Sequence, residues 1–245
     1  MKLIIDLIFV AILIICGWAG YKKGIIMGIG GLAVIIVSLY GGHLLSTTFS
    51  YEVIPALKPF ASGYLEARVE TGLYDLLGYE PDENGNYDVE LSVTDLFEQN
   101  PELRVPAAKA AYKSLGVYDS TAERMAQEAV EYSEENNVVL STGVVQIFCE
   151  RFTYYLGVIL GFVLIAILLT VAGNLLNLSF KFPCLDIINE IGGTVIGVLT
   201  GVCFCALLAW AFRFTGKLFS EDTLESTKLA SWFLEKDYVY KWLQF

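Results

Sequence analysis

The chain has 245 residues, 55% of them hydrophobic, and its mean hydropathy of +0.56 is high for a chain with a net charge of −11. The charge is unevenly distributed, because residues 52–151 hold 19 of the 27 acidic residues and only seven of the 16 basic ones. Binding to nucleic-acid phosphates requires clustered Lys and Arg. The composition therefore argues against a nucleic-acid partner and predicts two unlike parts, one apolar and one acidic.

Four apolar segments approach or exceed the length that a membrane-spanning helix needs, about 20 residues for a hydrocarbon core of about 30 Å. They are residues 3–20, 24–45, 152–176 and 187–212. Lipid offers no hydrogen-bond partners to the backbone, so each segment is predicted to be a helix. Because Asp6 interrupts the first apolar run and no small-residue cleavage site follows, we expect an uncleaved span there and not a signal peptide.

Only Tyr21-Lys22-Lys23 separates the first two apolar segments. Three residues allow a tight turn and nothing longer. The first two spans are therefore predicted to form an antiparallel helical hairpin in contact with the bilayer on its outer faces.

About a hundred residues separate the second and third apolar segments, too many for an ordinary loop. Apolar residues recur there at helical spacing, with a helix end predicted at Gly78 and N-caps at Ser92 and Ser120. Within this region, the segment EPDENGNYD alternates acidic and amide side chains like the start of a calcium loop. Tyr87 and Val93 replace the required Gly and bidentate acid, so a solvated turn without metal is predicted.

The chain after residue 213 mixes aromatic and basic side chains, which is typical of a membrane interface. An amphipathic segment on the bilayer surface is predicted, with packing against the acidic domain as the alternative. Its aromatic residues include Trp232, Phe233, Tyr238, Tyr240 and Trp242. The predicted divisions are a transmembrane hairpin (1–49), an acidic, mostly helical extramembrane domain (50–151), two further spans (152–213) and an amphipathic aromatic tail (214–245). The predicted fold class is an all-α polytopic membrane protein with four transmembrane helices.

Positive residues in short loops favour the cytoplasmic side of a membrane. The turn Lys22-Lys23 and the strongly acidic large domain favour a domain outside the cell, with both termini also outside. Basic residues also flank the opposite ends of the spans, so the number of positive residues does not decide the orientation by itself. They are Lys2, Arg151, Arg213 and Lys217.

Glycines recur every four residues in the last span. Small residues at this spacing let two membrane helices approach closely, as in a glycine zipper. A second series around the first hairpin includes Gly17 and Gly31, and would share one face if the turn stays helical. We predict that the hairpin packs on the last span, with a pore lining or a hinge as the alternative. The predicted packing residues are Gly20, Gly24, Gly28, Gly193, Gly197 and Gly201.

Four polar residues near the span ends are candidates for a functional role, because ionisable groups at membrane depth are functional candidates by default. Asp6 is predicted to cap a helix or face the interface, with an ion or proton role as the alternative. His43, the only histidine, is predicted to form an interfacial hydrogen bond, with a proton relay as the alternative. Lys23 lies in the basic turn, and Asn189 is predicted to cap a helix or form a turn.

Catalytic motifs are lacking in the sequence. There is no nucleophile elbow, no zinc-protease motif and no phosphate-binding loop, and a single histidine cannot serve a two-histidine metal site. The five cysteines show neither redox nor zinc-ligand spacing. We expect no enzyme activity, no cofactor and no metal.

Several of these features occur together in one known family. The acid Asp6, the turn YKKG with Lys23-Gly24, and a polar approach to a final span with three glycines at intervals of four resemble the colicin V production protein (CvpA) family. The chain departs from the family in holding Asn189-Glu190 where an Asp-Arg pair is common, and in its long acidic domain. The resemblance implies a four-span bacterial inner-membrane protein with a role in peptide-toxin production, secretion or envelope homeostasis.

Three functions are consistent with these observations. The first is an accessory or scaffold protein that assembles with a second copy or with an envelope or export protein. The second is an oligomeric small transporter or channel subunit, with the glycines and Asp6 near a conduction path. The third is a receptor-like binding module, in which the spans hold the acidic domain at the membrane surface.

Overall fold

The structure is a computed structural model that describes residues 2–82, 87–175, 186–214, 216 and 221–236. Within these ranges it is helical and contains no strand, which confirms the all-α class. The helices are α1 (Lys2–Leu77), α2 (Val93–Gln99), α3 (Arg104–Ser114), α4 (Asp119–Glu135), α5 (Leu140–Leu175), α6 (Asp186–Phe212), α7 (Glu221–Glu225) and α8 (Leu229–Lys236), with a 3-10 turn at Pro101–Leu103.

Among the residues that the structure describes, three helices are long and apolar enough to cross a membrane, and not four separate ones. They are α1, α5 and α6. The difference lies in α1, which contains both predicted segments 3–20 and 24–45 and continues into the acidic region. Gly24 has non-helical backbone angles, φ 75° and ψ 178°, and divides α1 into two helical segments. The two predicted spans are therefore present as the segments on either side of this break.

The apolar helices belong to one compact unit made of Met1–Thr48, Tyr154–Phe212 and Phe219–Phe245. Contacts such as that between Phe162 and Phe204, and a hydrogen bond from the Tyr155 hydroxyl to the Ala211 carbonyl, hold α5 antiparallel to α6. Large apolar side chains such as Leu160 on α5 stay exposed in this unit. This exposure is expected of helices whose outer faces meet hydrocarbon.

The acidic region forms the second unit, Phe49–Thr153 together with Arg213–Leu218. Its core consists of apolar side chains from α1, α2, α3, α4 and α5. Tyr112 lies at its centre, fully buried, and its hydroxyl donates a hydrogen bond to the Val144 carbonyl at 2.9 Å. The burial of this core explains why a chain segment so rich in acids still folds. Other core members are Leu65, Val69, Leu73, Phe97, Met125 and Cys149.

Local signals in the acidic region have mixed outcomes. The first helix ends at Leu77, and Gly78 follows with φ 80°, as predicted. Ser92 is the N-cap of α2, since its hydroxyl accepts a hydrogen bond from the Asp95 N–H at 3.1 Å. The predicted cap at Ser120 is wrong: α4 begins at Asp119, one residue earlier, and Tyr118 is its N-cap residue.

A short segment after α6 completes the acidic unit. The Tyr118 N–H donates to the Arg213 carbonyl at 3.1 Å, and the Gly216 N–H donates to the Gly116 carbonyl at 2.9 Å. A Cβ atom at Gly216 would lie 3.0 Å from the Tyr118 ring and would also meet the Gly116 carbonyl. The fold of this unit therefore uses residues from both sides of α5 and α6 in the sequence.

Some predictions fall on residues outside the described ranges. These are the centre of the turn EPDENGNYD (83–86), the loop between the last two spans (176–185), and the tail beyond residue 236 with Tyr238, Tyr240 and Trp242.

Candidate functional site

The break at Gly24 is the first element of the site. With φ 75°, its backbone adopts a conformation that L side chains rarely take, and a Cβ atom there would lie 2.6 Å from Asn189 Oδ1. Only glycine meets both demands without strain. The glycines of the hairpin would share one helical face only if the turn stays helical. The backbone angles of Gly24 show that it does not.

Asn189 caps the helical segment that starts after this break. The first N–H groups of a helix lack acceptors within the helix. The Ile25 N–H donates to Asn189 Oδ1 at 2.9 Å, although the two residues are 164 positions apart. This is the chemistry of an N-cap, supplied here by the first turn of α6.

Other side chains of the basic turn have separate contacts. The Glu190 carboxylate lies near the Tyr21 hydroxyl, so the Asn189-Glu190 pair faces both sides of the turn. Lys22 Nζ lies 3.9 Å from the centre of the Trp18 ring, a cation–π distance. Lys23 is exposed.

The glycines of the first helical segment meet those of α6 at backbone distance. A Cβ atom on Gly20 would lie 2.8 Å from Gly197 Cα, and one on Gly193 would lie 2.8 Å from Gly24 Cα. A Cβ atom on Gly201 would be 3.2 Å from Leu13 Cα. The first segment therefore runs antiparallel to α6 with no room for side chains between them.

The contact loosens after the turn. A Cβ atom on Gly28 would lie 3.2 Å from the Ile196 side chain and 3.8 Å from the Gly193 carbonyl oxygen, and one on Gly31 would have no neighbour within 4 Å. Gly31 therefore lies outside the contact. At the other end, Cys205 and Ala209 continue the buried face of α6, and the Cys205 Sγ lies 3.8 Å from the Phe9 carbonyl oxygen.

Asp6 caps a different helix. Its two carboxylate oxygens accept hydrogen bonds from the Lys228 N–H at 3.1 Å and the Leu229 N–H at 3.0 Å. These groups form the start of α8, where a negative charge also interacts favourably with the helix dipole. The rings of Phe9 and Phe233 pack one turn further in a tilted arrangement, with ring centres 5.7 Å apart. Asp6 thus fastens the amphipathic helix of the tail to the first helical segment.

His43 lies in a small polar cluster between α1 and α5. Its Nδ1 is 2.5 Å from the Tyr154 hydroxyl, and the Ser46 hydroxyl donates to the Tyr154 carbonyl at 2.7 Å. His43 is therefore hydrogen-bonded within the protein, in contact with α5.

A second contact of small residues, between α1 and α5, was not predicted. A Cβ atom on Gly161 would lie 2.9 Å from Gly42 Cα, and one on Gly157 would lie 3.2 Å from Ser46 Cα. The signal was present in the sequence, since Gly157 and Gly161 are four apart, as are Ser38, Gly42 and Ser46. Serine is a small residue in this rule, so Ser38, Gly42 and Ser46 form a second small-residue series.

Apolar helices in contact through their backbones, with polar side chains that cap neighbouring helices, define an α-helical membrane protein. Residues 119–237 match the family model described as Colicin V production protein, which confirms the resemblance identified from the sequence. The match covers just under half of the chain and includes α4, α5 and α6, while Asp6 and the Lys23-Gly24 turn precede it. Comparison with curated proteins and with solved structures finds no match.

Proposed function

We propose that the protein is a non-enzymatic accessory or scaffold protein of the bacterial inner membrane, with a role in peptide-toxin production or secretion, or in envelope homeostasis. One observation carries this proposal. Asp6 and Asn189, two of the polar residues that the sequence identifies as functional candidates, are hydrogen-bonded to backbone N–H groups of neighbouring helices. They act to assemble helices. The match of residues 119–237 to the colicin V production model supports a role of this kind. The partners that we propose are the bilayer and either a second copy or an envelope or export protein.

A deletion strain tests this role in two arms. Wild-type protein is expected to restore secretion of a peptide toxin in a producing strain, or resistance of the envelope to detergent and dye. The Gly197→Leu variant is expected to fail, because its side chain has no space beside Gly20. Gly30→Leu is the matched control, since nothing lies within 4 Å of a Cβ there. Normal secretion and a normal barrier in the deletion strain would reject the proposal.

The proposed topology is multi-pass, with the acidic domain and both termini outside the cell and the Lys22-Lys23 turn inside. Single cysteines in a cysteine-free background, at Glu98 in the domain and at Lys22 in the turn, provide the test. An impermeant maleimide should label the first in intact spheroplasts and the second only after lysis. The opposite pattern would reverse the topology.

A transporter or channel subunit is the second candidate. The polar cluster of His43, Tyr154 and Ser46 between α1 and α5 favours it, because polar groups within a helix bundle often mark a transport path. Proton flux into vesicles that contain the purified protein, reduced by His43→Phe, would support this candidate. Vesicles without flux would reject it and leave the scaffold role.

A further inference from the structure

The acidic unit contains a cleft of about 610 Å³, where α1, α2 and the adjoining ends of α3, α4 and α5 meet. Its size falls within the usual range of ligand sites, about 300–1,000 Å³. Side chains of two kinds form it. The floor is apolar and buried, and consists of Val69, Phe97 and Leu140. The rim carries the carboxylates of Glu66, Glu70 and Glu134.

The carboxylates exceed the positive charge at the rim. Arg104 pairs with Glu134, Nη1 to Oε1 at 3.1 Å. Glu66 and Glu70 lie one helical turn apart on α1. Glu70 Oε1 accepts a hydrogen bond from the Tyr74 hydroxyl at 2.9 Å, but no ion pair in the described part of the chain involves either carboxylate. Like charges at this spacing repel each other. A cation from outside the protein would relieve this repulsion.

The charge of the whole domain acts in the same direction. Residues 52–151 hold 19 acidic and seven basic residues. A concave site within such an excess concentrates the negative potential and raises the local concentration of cations. Among the described residues no group of three or more His, Cys, Asp or Glu side chains is placed to hold a metal ion. The geometry therefore favours an organic cation over a bare metal ion.

Exposed apolar side chains lie beside these carboxylates. Val138 and Val139 are 37% and 52% exposed, immediately before α5 and on the wall of the cleft. Asn137 precedes them with φ 51°, a left-handed conformation that Asn tolerates and that reverses the chain between α4 and α5. The turn presents both valines next to the acidic rim. A ligand that fills the cleft must bury apolar surface as well as pair with carboxylates.

We propose that this cleft binds a peptide segment in which a basic side chain is next to a large apolar one. The basic side chain pairs with Glu66 and Glu70, and the apolar side chain covers Val139 and the floor around Phe97. A polyamine would satisfy the carboxylates but leave the apolar surface uncovered. A neutral peptide would do the reverse.

The probe is a fluorescein-labelled peptide, GKLGKLG amide, with two matched peptides, GQLGQLG without the charge and GKSGKSG without the apolar side chain. The full-length protein is placed in phosphatidylcholine nanodiscs, so that lipid charge does not attract the peptides, and empty nanodiscs give the background. Fluorescence anisotropy should show binding of GKLGKLG that is at least about tenfold tighter than that of either matched peptide. Equal binding of GQLGQLG or GKSGKSG would overturn the proposal, as would no binding of GKLGKLG.

Two double variants locate the site. Glu66→Gln with Glu70→Gln removes two charges from the rim, whereas Glu98→Gln with Glu131→Gln removes two from exposed positions outside the cleft. The rim variant should weaken binding about tenfold, and the control less than about twofold. Equal weakening would show general attraction to an acidic domain and reject the site.

Val139→Ser tests the apolar half independently of charge. Because this side chain is half exposed, the variant is expected to fold, and circular dichroism would verify this for each protein. Binding of GKLGKLG should fall about threefold, while the weak binding of GKSGKSG should not change. An unchanged affinity for GKLGKLG would remove the apolar contact from the proposal and overturn it.

Discussion

The side-chain oxygen of Asn189 accepts a hydrogen bond from the Ile25 N–H at 2.9 Å, so the second segment of α1 is capped by a residue 164 positions later. Asn189→Ala should lower the free energy of unfolding by about 1 kcal/mol, because the N–H of Ile25 loses its acceptor. Asn189→Asp should lose less, since a carboxylate accepts the same bond. The measurement is denaturant unfolding in detergent, followed by tryptophan fluorescence.

The exposed neighbour Ile188 supplies the control for this cap. Ile188→Ala removes more side-chain volume than Asn189→Ala but no hydrogen bond. The cap contributes nothing if Asn189→Ala and Ile188→Ala have the same free energy of unfolding and Asn189→Asp is no more stable than Asn189→Ala.

Gly20 and Gly30 lie on the two segments of α1, before and after the break at Gly24, and differ in what surrounds them. Gly20→Ala places a methyl group against the backbone of Gly193 and Gly197, whereas nothing lies within 4 Å of a Cβ on Gly30. Overpacking of this kind costs about 1–3 kcal/mol, so Gly20→Ala should destabilise the protein by that amount. Gly30→Ala should be neutral or stabilise by up to about 1 kcal/mol through helix propensity. Thermal midpoints in detergent compare the two, and equal midpoints would contradict the backbone contact.

Asp6 is predicted to control the order of α8. Asp6→Ala removes both acceptors of the Lys228 and Leu229 N–H groups. Loss of a cap worth about 1 kcal/mol should speed hydrogen exchange of these amides about fivefold. Asp6→Asn keeps one acceptor and should give an intermediate rate.

Glu235→Gln, a change in charge at the far end of α8, is the control for Asp6. It should leave exchange at residues 228 and 229 unchanged. Rates in Asp6→Ala that match those of Glu235→Gln would show that Asp6 does not hold the helix.

A pH dependence is expected at the contact between α3 and α4. Hydrogen bonds from Lys113 and then Lys109 lower the pKa of Asp119. Since the folded pKa lies below the unfolded value of about 3.9, the stabilisation is present above that value and is lost as the pH falls through the folded pKa. The side chain is 46% exposed, so solvent screening limits the effect to less than about 1 kcal/mol.

The comparison of wild type with Asp119→Asn measures this effect. The thermal midpoint of the wild type should be higher at pH 7, and the difference should shrink as the pH falls through the lowered pKa of Asp119 and disappear below it, where both side chains are neutral. Addition of 1 M salt should reduce the difference at pH 7. Glu98→Gln, at an exposed acid on α2, should show no such difference at either pH, and a constant difference in Asp119→Asn would contradict the ion pairs.

The sequence was informative wherever one residue's chemistry acts locally. Long apolar runs predict helices because lipid leaves the backbone no other partners, and Gly78 and Ser92 end and begin helices through their own conformations. The turn between the first two spans was predicted, but its cap was not, because the cap comes from Asn189 in another helix. An N-cap motif can be recognised only when the capping residue precedes the helix that it caps.

Long-range partners also explain the other differences. Asp6 was predicted to cap a helix or face the interface, but no local pattern identifies α8 as the helix that it caps. His43 was expected at the interface, and its partner Tyr154 is 111 residues away. The contact of Gly42 with Gly161 obeys the same small-residue rule as that of Gly20 with Gly197, and a search that includes serine would find it.

The hydrogen bonds of Arg213 and Gly216 to Tyr118 and Gly116 set an order of events during synthesis. Domains generally fold as the chain is made, from the N-terminal end. The acidic domain lacks its last segment until α5 and α6 have left the ribosome, so it reaches its final fold only after both helices are available for membrane insertion. The domain is therefore completed only after the membrane-spanning helices of the chain have been synthesised.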